Sequence, residues 1–213
     1  MADRDKEPQA WTVTSSRPVL QDRWLTVRAD DCVTAAGAEI SPFYVLEYPD
    51  WVQIVALDAF DHIILVEQYR HGLGAASLEL PAGGMEPGDR SPIKAAAREL
   101  AEETGYATQN WRYIAELSPN PASHNNRCHV LLARDVALQV TPQDDARERI
   151  RVVRLPVDEA VRLAFEGRIV QAPPHRLHGP GARSGGPLAA LAKFTPPDAN
   201  RSRRRSAPGS ARE

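Results

Sequence analysis

Between Gly83 and Tyr106 the chain reads GGMEPGDRSPIKAAARELAEETGY, and no other stretch constrains the fold as tightly. Three carboxylates, Glu99, Glu102 and Glu103, lie within five residues of one predicted helix. On a helix, Glu103 sits one turn beyond Glu99 and Glu102 three residues beyond it, so all three project from one face. Like charges at such spacings repel and destabilise an isolated helix. A hard divalent cation such as Mg²⁺ or Mn²⁺ relieves that repulsion, because it prefers clustered carboxylate oxygens. The flanks punctuate the helix. Gly83, Gly84 and Gly88 with Pro87 predict a tight loop where backbone approaches a ligand closely. Ser91 followed by Pro92 is a start signal, and Gly105 a stop of the left-handed type. Ala95, Ala96, Leu100 and Ala101 remain for packing. A solvated acidic face, the usual reading of a charge run, accounts for the charges but not for the loop, the caps and their order.

These residues resemble the Nudix hydrolase box, G-x5-E-x7-R-E-U-x-E-E-x-G-U, where U is a bulky aliphatic or aromatic residue. Anchored at Gly83, the chain puts Asp89 where the box has its first Glu and delivers Arg98 one residue late. Anchored at Gly84 the spacing fits, but Arg90 stands at the Glu position. We take the Gly83 anchor, with one extra residue in Arg90-Ser91-Pro92, because Pro92 then opens the helix. The resemblance implies that Asp89, Arg98 and Gly105 are structural members of the box, with Asp89 keeping the charge at shorter reach. It implies that Glu103 and Glu99 are catalytic, and that Glu99, Glu102, Glu103 and the Ala82 carbonyl hold Mg²⁺ or Mn²⁺. Gly83 and Gly84 then line the substrate.

Three flanking features narrow the resemblance to ADP-ribose pyrophosphatases and related nucleoside-diphosphate-sugar hydrolases. Val66-Glu67-Gln68-Tyr69-Arg70 resembles a strand ending in a diphosphate-binding arginine, and Glu79-Leu80-Pro81-Ala82-Gly83 resembles the approach to the box. Pro121 follows Gly105 by sixteen residues, as a proline often does in that group. The resemblance spans about residues 10–170. It implies metal-dependent hydrolysis of the diphosphate of ADP-ribose or a related nucleotide sugar, giving AMP (or another NMP) and a sugar phosphate. Arg70 can offer phosphate a planar pair of donors; an ordinary strand-end salt bridge is its other reading. The chemistry also needs a general base. Glu148, two residues before Ile150, is the residue expected from the resemblance, with Asp145 and Asp144 behind it in the polar loop Thr141–Glu148. His124 falls where relatives bind a terminal ribose, and Trp11 and Trp24 are candidates for stacking on adenine if the N-terminal strands form a dimer lobe. Rival readings are hydrolysis of another nucleoside diphosphate derivative, and a ligand-binding or regulatory module without turnover.

Apolar runs predict strands at 11–14, 24–28, 43–47, 52–57, 63–68, 78–80, 111–117, 129–132 and 150–155, and a second helix over 157–166. The fold class expected is α+β, a Nudix-type α/β/α sandwich with a mixed sheet and N-terminal antiparallel strands. Residues 1–48 form the N-terminal strand region, 49–171 the hydrolase domain with its box at 83–106, and 172–213 a basic tail. That tail holds seven Arg and one Lys against Asp198 and Glu213, a net +6 that leaves −8 on residues 1–171. Its seven prolines and its Gly, Ser and Arg content predict disorder; a diverged or frameshifted end is a second reading. The acidic body argues against nucleic acid as a partner; the resemblance implies a small nucleotide as substrate. No apolar run reaches the ~20 residues that span a bilayer. The charged N-terminus lacks a signal-peptide core, and Cys32 and Cys128 read as buried thiols, so the expected location is cytoplasmic.

Overall fold

The computed structural model describes residues 8–139 and 149–169, and its centre is the strand expected at Val52. Three antiparallel strands come first: β1 (Thr12–Gln21), β2 (Thr26–Val33) and β3 (Glu39–Glu47), in that spatial order. β4 (Trp51–Leu57), β5 (His62–Arg70), β6 (Ala75–Glu79) and β7 (Ala82–Gly84) follow, then helix α1 (Pro92–Thr104). The chain continues through β8 (Tyr106–Ala107), β9 (Asn110–Leu117), β10 (Cys128–Arg134), β11 (Ala137–Leu138), β12 (Arg151–Pro156) and helix α2 (Val157–Phe165).

Seven strands form one mixed sheet in the order β12-β5-β4-β10-β9, with β6 paired to β5 and β7 to β4. The β4–β10 pair is parallel and every other pair in this sheet antiparallel. Val52, Ile54, Ile64 and Leu131 pack with Ala95, Ala96 and Leu100 of α1, all fully buried. Their alternates Ile63 and Leu65 are buried as well, as strands covered on both faces require. The helix α2 packs against β12 and β5, burying Val157, Ala160 and Leu163. The expected α/β/α sandwich is therefore present. Leu163 completes the buried stripe of α2, three residues beyond Ala160, while Ala164 is exposed.

Two expectations need correction. The first strand is not confined to 11–14 but runs over all of β1, whose ten positions are exposed. Its serines look like loop residues, yet Ser15 Oγ donates to Asp31 (2.5 Å) and Ser16 Oγ to Asp30 (2.6 Å), so side-chain pairs extend the ladder onto β2. The second correction concerns Gly83 and Gly84. They do not belong to a loop: with Ala82 they make β7, paired residue by residue with Gln53, Val52 and Trp51. Both cysteines are free and buried, as expected; burial pushes the Cys128 thiol up to about 11. The expected tail, 172–213, and the loop carrying Asp144, Asp145 and Glu148 lie outside the described residues.

Candidate active site

Local chemistry fixes α1 at both ends. Ser91 accepts a bond from the Lys94 N–H (3.3 Å), Pro92 starts the helix, and Gly105, at φ 74°, ends it with its N–H on the Ala101 carbonyl. The buried stripe is Ala95, Ala96, Leu100 and Thr104; Thr104 takes the fourth place because its hydroxyl donates to the Leu100 carbonyl, which satisfies it inside the core, while Ala101 is half-buried. Once that stripe faces the sheet, the turns of the helix decide where the acids point.

Glu99 and Glu103 both face β7. Glu103 Oε2 accepts from the Ala82 N–H at 3.0 Å. Glu99 lies over Gly83 so closely that a Cβ on that glycine would stand 2.1 Å from the carboxyl carbon. Glycine there leaves the room that the Glu99 carboxylate occupies, and any Cβ would have to displace that carboxylate. Removal of the Glu99 carboxyl from water raises its pKa, with Arg98 acting in the opposite direction. Glu102 is on the outer edge, with half of its side chain exposed.

Arg98 is bound on two sides. Its Nη2 donates to Asp89 Oδ2 (2.9 Å) and to the Gly84 carbonyl (3.0 Å), and its Nη1 to Glu99 (2.8 Å) and Glu102 (3.0 Å). Asp89 Oδ2 also takes the Glu86 N–H at 2.8 Å, so one short carboxylate ties the turn before the helix to the arginine. The Arg98 guanidinium, and then the Glu86 N–H, hold the Asp89 carboxyl below its usual range. Asp89 at this position is close enough to meet Arg98 despite the extra residue between them.

Arg70, at the end of β5, packs onto Glu79 of β6: Nη2 to Oε2 is 2.8 Å, and Nε lies 3.2 Å from both carboxylate oxygens. Glu79 is a buried acid that sequence reasoning passed over. Its signal was a charge in the apolar approach Leu78-Glu79-Leu80-Pro81, but its partner comes from the neighbouring strand β5. His124 has no described contact with the acids. Its ring tilts against Tyr48 (5.3 Å between centroids) and lines a cavity of about 330 Å³ with Tyr48, Pro49, Trp51, Gly84, Pro119 and Asn126. Backbone bonds from Leu46 to Ser123 (2.8 Å) and from Asn125 to Leu46 (3.4 Å) clamp this loop to the end of β3. Pro121 is an exposed member of the same loop. Trp11 meets Phe43 edge-on at 5.7 Å, and Trp24 is 69% exposed beneath the Arg23 guanidinium. Neither tryptophan reaches the acids within this chain's described contacts.

The arrangement suits a divalent cation in its donor chemistry: carboxylates converge on a strand edge, and one of them is partly desolvated. The site is not a finished cage, for among the described residues no three His, Cys, Asp or Glu side chains already surround one point.

Comparison with known proteins matches residues 48–176 to the NUDIX domain and residues 11–46 to the nucleoside diphosphate sugar hydrolase N-terminal domain. An ADP-ribose pyrophosphatase of Mycobacterium tuberculosis is 33% identical, over 81% of this chain and 81% of its own. A methanol dehydrogenase activator of Bacillus methanolicus is 28% identical, over 71% of this chain and 81% of its own. Among solved structures, an ADP compounds hydrolase superposes with a TM-score of 0.66 at 26% identity, covering 75% of this chain and 85% of that one.

Proposed function

This chain belongs to the NUDIX domain family, and on that premise we propose that it hydrolyses the diphosphate of ADP-ribose or a closely related nucleoside-diphosphate sugar to a nucleoside monophosphate and a sugar phosphate. The observation that carries the reading is the convergence of Glu99 and Glu103 on Ala82 and Gly83. Glu99, Glu102, Glu103 and the Ala82 carbonyl would hold Mg²⁺ or Mn²⁺. Bound there, the cation would neutralise charge on the diphosphate and lower the pKa of an attacking water. Gly84 offers the substrate bare backbone at the cavity edge, and Gly83, under Glu99, is the substrate-binding neighbour we assign beside it. Arg70, oriented by Glu79, is our assignment for phosphate binding, and Asp89, Arg98 and Gly105 keep the acid-bearing helix in register. Glu148 is our assignment for the general base.

The cavity beside Gly84, walled by Trp51, Tyr48 and His124, has the size and aromatic lining for a small nucleotide. The exposed strand β1 supports a homodimer built on β1 to β3. No helix among the described residues is long and apolar enough to cross a membrane, and free buried cysteines fit the reducing cytoplasm, where we place the enzyme.

The test is turnover of ADP-ribose with Mg²⁺ or Mn²⁺, resolving AMP from ribose phosphate, beside Glu103→Gln and Glu99→Gln. Metal-dependent AMP release that each substitution abolishes supports the assignment. Wild-type turnover that survives both substitutions would exclude these acids from the chemistry.

A further inference from the structure

We propose that Arg98 is a built-in counter-cation of the acid face, and that a divalent ion loads by displacing its Nη1 group from Glu99 and Glu102. The inference rests on the reading of those acids as metal ligands given above.

The geometry of the guanidinium is divided. Its Nη2 edge is anchored to the fixed groups, Asp89 Oδ2 at 2.9 Å and the Gly84 carbonyl at 3.0 Å. Its Nη1 edge, which carries two hydrogens, has both committed to the acids, 2.8 Å to Glu99 and 3.0 Å to Glu102. A divalent ion held by the same two carboxylates would stand within a few ångströms of Nη1, where like charges repel strongly away from bulk water. The ion therefore replaces the Nη1 contacts and does not add to them. The two acids are unequally prepared for the exchange. Glu102 has 49% of its side chain exposed; Glu99 has only 13% exposed and has its room defined by Gly83. Asp89 sets how far the guanidinium leans towards the acids, because it holds the opposite edge. A residue that merely braced the acids for metal would have the contrary effect on affinity when removed.

The experiment is calorimetric titration of Mn²⁺ into the full chain, wild type beside Arg98→Gln and Asp89→Asn, with thermal unfolding of each. Arg98→Gln is expected to bind Mn²⁺ about tenfold tighter, as loss of one competing charge at a half-exposed site implies. Asp89→Asn weakens the anchored edge, leaving the Gly84 carbonyl as its remaining fixed partner, lets the guanidinium lean further onto Glu99 and Glu102, and is expected to bind several-fold weaker. Opposite signs from two variants of one ion pair separate competition from damage, which weakens both. Equal or weaker binding by a folded Arg98→Gln overturns the proposal. Should that variant not fold, tighter or unchanged binding by Asp89→Asn overturns it alone. Absence of Mn²⁺ binding in the wild type is a different failure, since it removes the metal reading itself.

Discussion

The acid face of α1 and the N-terminal sheet treat charge and apolar surface in opposite ways. Over β7 the carboxylates are each engaged: Glu103 by a backbone N–H, the inward Glu99 and the outer Glu102 by Arg98. On β1 all ten residues are exposed, Val13, Val19 and Leu20 among them, and the strand pairs with β2 alone among the described residues. Trp11, Trp24 and Tyr44 add exposed aromatic surface nearby. Buried polar groups require partners, and the α1 site supplies them from its own chain. Exposed apolar side chains on such a strand fit the dimer we propose. The first region satisfies its charges within one copy; the second leaves apolar side chains uncovered among the described residues.

The sharpest way to break the comparison is Gly83→Ala. A Cβ at 2.1 Å from the Glu99 carboxyl must push that acid aside, and turnover should fall by about 10²-fold, the usual consequence of a misplacement near 1 Å. Circular dichroism should stay unchanged. Undiminished turnover would show that Glu99 does not need its place against β7.

Arg70→Met tests whether buried acids here depend on their arginines. It leaves Glu79, 3% exposed, without its cation. Loss of one partner from a buried pair costs about 3–5 kcal/mol, and the lower end applies because Arg70 is itself one-third exposed. Denaturant unfolding measures it. A loss below about 1 kcal/mol would place this pair with surface salt bridges.

Asp89→Asn gives a smaller, pH-coded effect. Because its folded pKa is depressed, the Asp89 carboxylate contributes stability that is present above its ordinary value of about 3.9 and is lost as pH falls through the folded value. Wild type and variant should differ in stability at pH 7 and converge in acid. A difference independent of pH would point to lost packing in place of lost charge. Smallest is Trp24→Ala, a change of within about 0.5 kcal/mol in the isolated chain for so exposed a side chain. Sedimentation should nevertheless show weaker self-association. A wild type that remains monomeric throughout would sink the dimer built on β1 to β3.

The sequence made one region far more legible than the other, for reasons of range. Ser91, Pro92 and Gly105 mark the bounds of α1 because caps act within a few residues, and the spacing of Glu99 and Glu103 follows from one helical turn. β7 was hidden because its pairing with Trp51, Val52 and Gln53 is settled some thirty residues away, while glycine locally signals a turn. The Ser-rich β1 was hidden for a similar reason: Asp30 and Asp31 on another strand are what make Ser15 and Ser16 strand residues. Glu79 was visible as a charge, but its bond to Arg70 exists only once β5 and β6 align. Glu148 stays an inference from resemblance, since it lies outside the described residues.

The two thiols have a practical consequence. Cys32 and Cys128 are both shielded, and the Cys128 thiol ionises only near 11, so a maleimide at neutral pH meets no reactive sulfur at that position. A single cysteine introduced on β1 or on the exposed Ala122 can therefore carry a fluorophore or spin label without first stripping the native pair. Distances between labels on two copies would then report directly on how the molecules sit together.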